Sequence, residues 1–541
     1  MNHLLNSLPT LPYFDHSNYI WALAAVFVLF QMYVLINKKK TPPFEGVPFA
    51  PNSHWLLGHT AQLVRKERVD DKYYQLFVKH ADDRGLCSVW HGTSPAITVT
   101  KAVDVQNVLK NSSTHAVNKI FAYHFAKRQS GSEALVHLAQ GKVWKAKRAV
   151  VHQCFVKNLE ASTPTFVNVA RSLAERIIRD LGEESGRVYD IIHLAKLVAL
   201  DNFGVLATGH DLGCCSSLQM NTFALALKFI EDDTTSRLSN LFHPTSLLYW
   251  LPTAQNVTRR EAEETVVGYL TDMLRTKQTS MTIGDAKAAH NQTDLASLLL
   301  QHVGKDNFSF DTVLEVLRTT FYASYTTTSI GICAAFWSVS RHPNVEARCL
   351  EEIHRVLGCG HIIGDTFKLD KLVYCRAVLF EALRMYPPGP MTMRILEKDA
   401  HLGGKSFRAG TNVLIPIWSI HRDPDNFPQP LDFIPERWVK LRDDGTWEER
   451  WEDDGCDELY RVPPANRNAF VAFSGGGRSC VGKNFATAEG TILLAVMLRE
   501  IKMEVVPGYE LHLMLNTVTV EAENGIPMIF KRRQPRYTNK E

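Results

Sequence analysis

The run Phe473-Ser474-Gly475-Gly476-Gly477-Arg478-Ser479-Cys480-Val481-Gly482 decides how the rest of the chain is read. Three consecutive glycines free the backbone to make a tight turn. An apolar helical run from Ala486 to Leu498 follows at once. A cysteine ahead of a helix N-terminus meets the positive end of the dipole and unpaired N–H groups, which favour the thiolate. A buried structural cysteine beside a glycine-rich turn is the plainer reading of Gly-Gly-Gly taken alone. The chain holds ten cysteines, at positions such as Cys87, Cys154, Cys333 and Cys375, and they form no pair of CxxC motifs. A zinc site is therefore not expected, and the others read as reduced and buried.

The whole stretch resembles the haem-binding signature of the cytochrome P-450 family, FxxGxRxCxG. A chance match at five fixed positions is on the order of one in a million per starting point. The resemblance implies that Cys480 is the thiolate ligand of a haem b iron and that Phe473 lies against its sulfur. It also implies that Arg478 meets a haem propionate and that Gly476 and Gly482 let the backbone pass close to the cofactor. A thiolate on haem iron donates electron density that promotes O–O cleavage.

Other landmarks of that family occur in the same order. Glu381 and Arg384 in Phe380-Glu381-Ala382-Leu383-Arg384 form an ExxR pair, and i,i+3 spacing puts both on one helix face. Phe433-Ile434-Pro435-Glu436-Arg437-Trp438 resembles the FxPERF element, so Arg437 is expected to join Glu381 and Arg384 in a structural triad. Trp144-Lys145-Ala146-Lys147-Arg148 is similar to the WxxxR helix, which implies Trp144 and Arg148 at one propionate, and Arg394, after Pro387-Pro388-Gly389-Pro390, sits where the family often places another propionate-binding arginine. His421-Arg422-Asp423-Pro424 resembles the HRDP turn, for which a purely structural role is the alternative.

The family pattern on the oxygen-activating helix is AGx(D/E)T(T/S), and this chain reads Ala323-Ser324-Tyr325-Thr326-Thr327-Thr328. Thr327 aligns with the threonine of the catalytic pair. Thr326 stands where the family has an acid, and a hydroxyl cannot serve as an acid near neutral pH. Proton delivery is then expected to use Thr327, water and a substrate hydroxyl. The bland alternative is that these threonines bond back to the preceding turn.

The chain has 541 residues, 45% apolar and 22% charged, an ordinary globular composition. No Gly/Ser-rich or Pro-rich linker divides its middle. The fold class expected is mainly α with small β-sheets, the cytochrome P-450 fold, preceded by one N-terminal transmembrane helix. Helices are expected over 140–180, 217–231, 258–277, 309–340, 343–357, 372–386 and 484–500. Strands are expected near Ala96–Thr100 and within 393–416 and 503–531, with exposed loops at 276–293 and 440–461. A net charge of +3, without a basic helix face, argues against a nucleic-acid partner.

Tyr19 to Ile36 is apolar apart from Gln31 and the tyrosine hydroxyls. As a helix it spans roughly 27 Å, close to the hydrocarbon thickness of the endoplasmic reticulum membrane. Lys38, Lys39 and Lys40 follow, whereas residues 1–18 contain no Lys or Arg, so positive-inside bias puts the catalytic domain in the cytosol. A cleaved signal peptide fits less well, because Ala22-Leu23-Ala24 lies inside the apolar run and no basic segment precedes it. The domains expected are a lumenal 1–18, an anchor at 19–36, a basic and proline-rich hinge at 37–52, and a catalytic domain at 53–541. The sequons at Asn111, Asn256 and Asn291 should then carry no glycan.

The resemblance implies a monooxygenase that inserts one oxygen atom from O2 into a lipophilic small molecule such as a lipid, sterol or terpenoid. Phe321, Tyr322, Ala323, Thr327, Met391, Thr392 and Met393 are candidate pocket residues. Leu247–Leu251 reads either as a segment dipping into the bilayer or as a core helix. The chain ends soon after the cysteine helix, so the expected electron source is a separate NADPH-dependent cytochrome P-450 reductase, aided by cytochrome b5. Lys145, Lys147 and Lys483 are expected to face that partner, with plain solvated lysines as the alternative. Two other readings stay open: a haem-thiolate isomerase or dehydratase needing no O2, and a non-catalytic haem sensor or carrier. Dependence of product on NADPH and reductase separates the three.

Overall fold

In a computed structural model, the described residues are chiefly 41–54, 74–110, 141–239, 251–282, 294–357, 369–450 and 465–533, less a few single positions within them, with isolated positions elsewhere. The expected lumenal segment 1–18, most of the expected anchor and 37–40 of the expected hinge therefore lie outside the described residues, as do 111–134, 240–250, 283–293 and 451–464.

Helices dominate, and their ends follow from local chemistry. Phe310–Ser340 starts where the Ser309 side chain accepts the Thr312 N–H, with Asp311 in the positive first turn. It stops just before Pro343, which opens the next helix, Pro343–Leu357. Val373–Met385 ends ahead of Pro387-Pro388. Lys483–Glu500 follows the cysteine loop and is buried along most of its length.

The region expected as one helix over 140–180 is two, Lys142–Lys157 and Leu159–Leu181. The helix expected at 217–231 runs from Thr222 to Ser239, and that expected at 258–277 extends over Ala254–Thr282, into the expected loop. Part of the other expected loop is a hairpin of Val439–Leu441 with Trp447–Glu449. Ile191–Thr208 carries no amphipathic pattern because it is buried nearly all round, so periodicity does not reveal it. It is long and apolar enough to cross a membrane, yet 83% of it is buried inside the protein and it serves as a core helix.

The strands are short and peripheral. One sheet runs in the order Leu86–His91, Ser94–Val99, Asn412–Ile415, Thr392–Ile395, antiparallel except for the parallel central pairing. A second pairs Ile501–Val505 with Pro527–Arg532 and then Arg187–Asp190. The core sits among Phe310–Ser340, Ile191–Thr208, Val373–Met385 and Lys483–Glu500, which pack on one another.

Glycines mark two close helix contacts: a Cβ added at Gly331 would stand 2.9 Å from Leu383 Cδ2, and one at Gly490 2.9 Å from Leu379 Cδ2, so a larger residue at either would displace a leucine of Val373–Met385. Gly331→Val is expected to lower stability by about 1–3 kcal/mol in urea denaturation, through overpacking.

Candidate active site

The cysteine loop is held by its own backbone. Cys480 N–H donates to Phe473 O at 2.9 Å, and Ser479 N–H donates to Gly476 O at 3.0 Å. Gly476 has φ +64°, and an added Cβ would fall 1.8 Å from the Leu109 carbonyl oxygen. Its lack of a side chain is thus dictated by the Ala102–Lys110 helix beside it, a reason the motif alone does not reveal. At Gly482 a Cβ would make only ordinary contacts, 3.7 Å from Phe155 and 4.0 Å from the Cys480 sulfur.

Cys480 is solvent-accessible although protein surrounds it densely, as for a side chain on the wall of a hollow. Burial pushes its thiol above the usual value, while the Gly482 backbone, Arg148 and Lys483 pull in the opposite direction. Ala323 and Thr327, one turn apart, are exposed on a helix that is otherwise largely buried. Phe203 links the two walls: its ring is 4.9 Å from that of Phe321 and 6.5 Å from that of Phe485, five residues after Cys480.

Three arginines gather at the loop. Arg148 Nη2 donates to Ser479 O at 2.8 Å, Arg394 Nη2 to Ser474 Oγ at 3.0 Å, and Arg478 Nη2 to Leu138 O at 2.7 Å. Trp144 is buried with both the Arg478 and Arg148 guanidiniums over its ring, 4.0 and 5.5 Å from the centroid. Burial first, then the charges of Arg394 and Arg148, pull the Arg478 pKa down to about 10. Its Nε is buried without a hydrogen-bond partner, and among the described residues neither Arg148 nor Arg478 pairs with a carboxylate. An accessible thiol beside such a concentration of positive charge fits a haem, whose thiolate and propionates supply the matching anions.

Glu381, Arg384 and Arg437 come together in full burial. Glu381 Oε1 accepts from Arg384 at 2.8 Å, Arg437 at 3.1 Å and the Ile434 N–H at 3.0 Å. Its Oε2 accepts from Arg384 Nε and Trp438 Nε1, each at 2.9 Å. Trp438 stands where the FxPERF pattern has phenylalanine and adds a donor that the pattern does not supply. Burial raises the Glu381 carboxyl, but Arg384 and Arg437 outweigh it and hold the pKa below the ordinary range.

His421 carries this brace to the loop. Its Nδ1 lies 3.0 Å from Arg384 O, and its Nε2 lies 3.0 Å from Val471 N. A carbonyl only accepts and an amide N–H only donates, so the ring is neutral with its proton on Nδ1.

On the distal helix, Thr327 Oγ1 donates to Ala323 O at 2.7 Å, the back-bond of the bland reading. Thr326 does otherwise: its hydroxyl donates to Glu231 Oε1 at 2.7 Å. Phe321 does not line the pocket; it is fully buried against Phe203 and Phe223. Lys145 and Lys483 are exposed, but Lys147 is buried and cannot meet a partner. It shares the inward face of its helix with Trp144, Val151 and Cys154, and its ammonium lies 5.9 Å from the centroid of Phe308. Asn256 is also buried, its side-chain amide donating to Leu251 O.

Burial and the Arg384 charge lower the His421 pKa from its ordinary 6.5 to about 3. The unfolded chain therefore takes up a proton that the fold refuses, and stability falls as pH drops from 6.5 towards 3. His421→Gln should show a shallower decline in melting temperature across that window than the natural protein.

The family model for cytochrome P-450 matches residues 48–527. The chain is 26% identical to a probable cytochrome P-450 4d20 of Drosophila melanogaster over 446 residues, covering 78% of this chain and 81% of the relative. It is 25% identical to cytochrome P-450 4A14 of Rattus norvegicus over 499 residues, 90% of each chain. It is 24% identical to cytochrome P-450 4V2 of Mus musculus over 547 residues, 95% of each chain. With its helix-rich fold and small sheets, this chain belongs to the cytochrome P-450 family and is a monooxygenase with haem on an axial cysteine thiolate as its cofactor.

Proposed function

We propose that Cys480 is the haem ligand and that the enzyme oxygenates a lipophilic small molecule on the Ala323–Thr327 side of the haem. The observation that carries this reading is the accessible Cys480 thiol among three arginines. Arg148, Arg394 and Arg478, with Trp144 beneath two of them, would hold the propionates, and Phe473 would shield the sulfur. When bound, the thiolate-ligated haem supplies the activation of dioxygen. The protein's part is to position and to move protons. The Glu381–Arg384–Arg437 brace keeps the cysteine loop in place through His421. Thr327 holds a hydroxyl at the exposed face of its helix, ready to exchange its bond to Ala323 O for one to the reacting oxygen.

Electrons come in this reading from an NADPH-dependent reductase, with cytochrome b5 as an auxiliary donor. Exposed Lys145 and Lys483 support an acidic partner surface on the loop side. Residues 19–36 anchor the enzyme in the endoplasmic reticulum membrane, with 1–18 lumenal, 37–52 a hinge and 53–541 the cytosolic catalytic domain. The basic Lys38–Lys40 and the exposure of Val26 and Tyr33 support that arrangement. An anchor also favours substrates that partition into lipid.

Replacing Cys480 with Ser should abolish the ferrous–CO absorption band named for the family while leaving the far-UV circular dichroism unchanged; a surviving band would sink the ligand assignment. Thr327→Ala should raise the NADPH consumed per product formed, read by paired NADPH and product assays with reductase. Unchanged coupling would remove Thr327 from proton delivery.

A further inference from the structure

The hydroxyls of the Phe310–Ser340 helix mostly turn back on their own backbone. Thr319, Thr320, Ser324, Thr327 and Ser329 each donate to a carbonyl of the preceding turn. Thr326 and Tyr325 depart from this habit and share one acceptor, the Glu231 carboxylate of the Thr222–Ser239 helix. Glu231 is 12% exposed and stands 95 residues from Thr326 in the chain. The Lys196 ammonium, from Ile191–Thr208, lies 3.6 Å from Glu231 Oε2 and 3.9 Å from Glu521 on the strand Thr519–Ala522. The ammonium and two hydroxyl donors offset the desolvation of such a carboxylate. Burial opposes the charge on Lys196, but Glu231 and then Glu521 outweigh it and raise its pKa. Burial and then Glu231 push the Tyr325 hydroxyl far above its ordinary value, so it remains a proton donor.

A buried cluster of proton-exchanging groups with a polar exit has the geometry that proton traffic needs. Thr326 is the position from which the helix lacks an acid, and its hydroxyl touches one borne by a neighbour. We propose that Glu231, acting through the Thr326 hydroxyl, supplies the acid function for proton delivery beside Thr327. This rests on the monooxygenase reading above. When Glu231 takes up a proton, the Thr326 hydroxyl turns from Glu231 Oε1 towards the Thr327 side. The Glu231 carboxyl O–H then donates to the Thr326 oxygen, and Thr326 passes its own proton on through water as it receives that of Glu231. One proton moves, Thr326 is again a hydroxyl, and Glu231 is again a carboxylate. Lys196 and Glu521, which is 24% exposed, continue the polar line outward for reprotonation from solvent. Glu231 is a positioning residue in this scheme, because it acts only through Thr326.

The test uses the full-length, haem-loaded enzyme with its reductase, NADPH and dioxygen, and needs no identified substrate. Glu231→Gln should slow NADPH oxidation about tenfold and enlarge its solvent deuterium isotope effect. Glu231→Asp should keep most of the rate, and Thr326→Asp in the Glu231→Gln background should recover it by returning a carboxylate to the helix. The ferrous–CO band and melting temperature serve as structural controls. Without turnover, the infrared carboxylate band identified by Glu231→Gln difference spectra should shift in Thr326→Val, as one hydrogen bond is lost. Wild-type rate and isotope effect in Glu231→Gln, no recovery by Thr326→Asp, or an unshifted band in Thr326→Val would each overturn the proposal. If the unaltered enzyme oxidises no NADPH with reductase even when a bound ligand has shifted its haem spin state, the monooxygenase reading itself fails, and this proposal with it.

Discussion

The carboxylate of Glu381 is the point on which the proximal half of the molecule depends. Both of its oxygens are saturated, by Arg384 one turn on in its own helix and by Ile434, Arg437 and Trp438 from a segment far along the chain. Buried ion pairs are often no better than apolar packing of the same volume, and leaving one partner unpaired is costly. The arrangement here therefore serves geometry more than stability. Arg384 spends its remaining donors on the carbonyls of His421, Pro430 and Asp432, and Arg437 on those of Pro428 and Gln429. A whole irregular segment is held in this way without regular secondary structure. Through His421 the same order reaches Val471 and the turn that presents Cys480.

The meeting of Glu381, Arg384 and Arg437 was legible because the ExxR spacing and the proline-flanked Arg437 segment each lie within a few residues, and the structure brings their side chains together. The central helices were legible too, since caps and prolines mark their ends. What stayed hidden were features set by tertiary contact. Ile191–Thr208 has no polar face, so it gives no helical period to detect. Lys147 reads as a surface charge until the helix face it shares with Trp144 and Val151 is seen to point inward.

The distal side shows the same limit more sharply. Position 326 taken alone signals a missing acid, and the structure supplies a carboxylate from a helix far away in the chain. No spacing rule relates Glu231 to Thr326, because their contact exists only after two helices have packed. Gly476 carries a related lesson. The motif suggests that its small size serves a cofactor, whereas the nearest constraint is the Leu109 carbonyl.

That contact between Gly476 and Leu109 ties two parts of the backbone together with no side chain between them. A flexible side chain at such a junction would absorb small shifts by changing rotamer; two abutting main chains cannot. The Ala102–Lys110 helix and the cysteine turn must consequently move as one rigid piece. A tilt of that helix would therefore press first on the turn that carries Cys480.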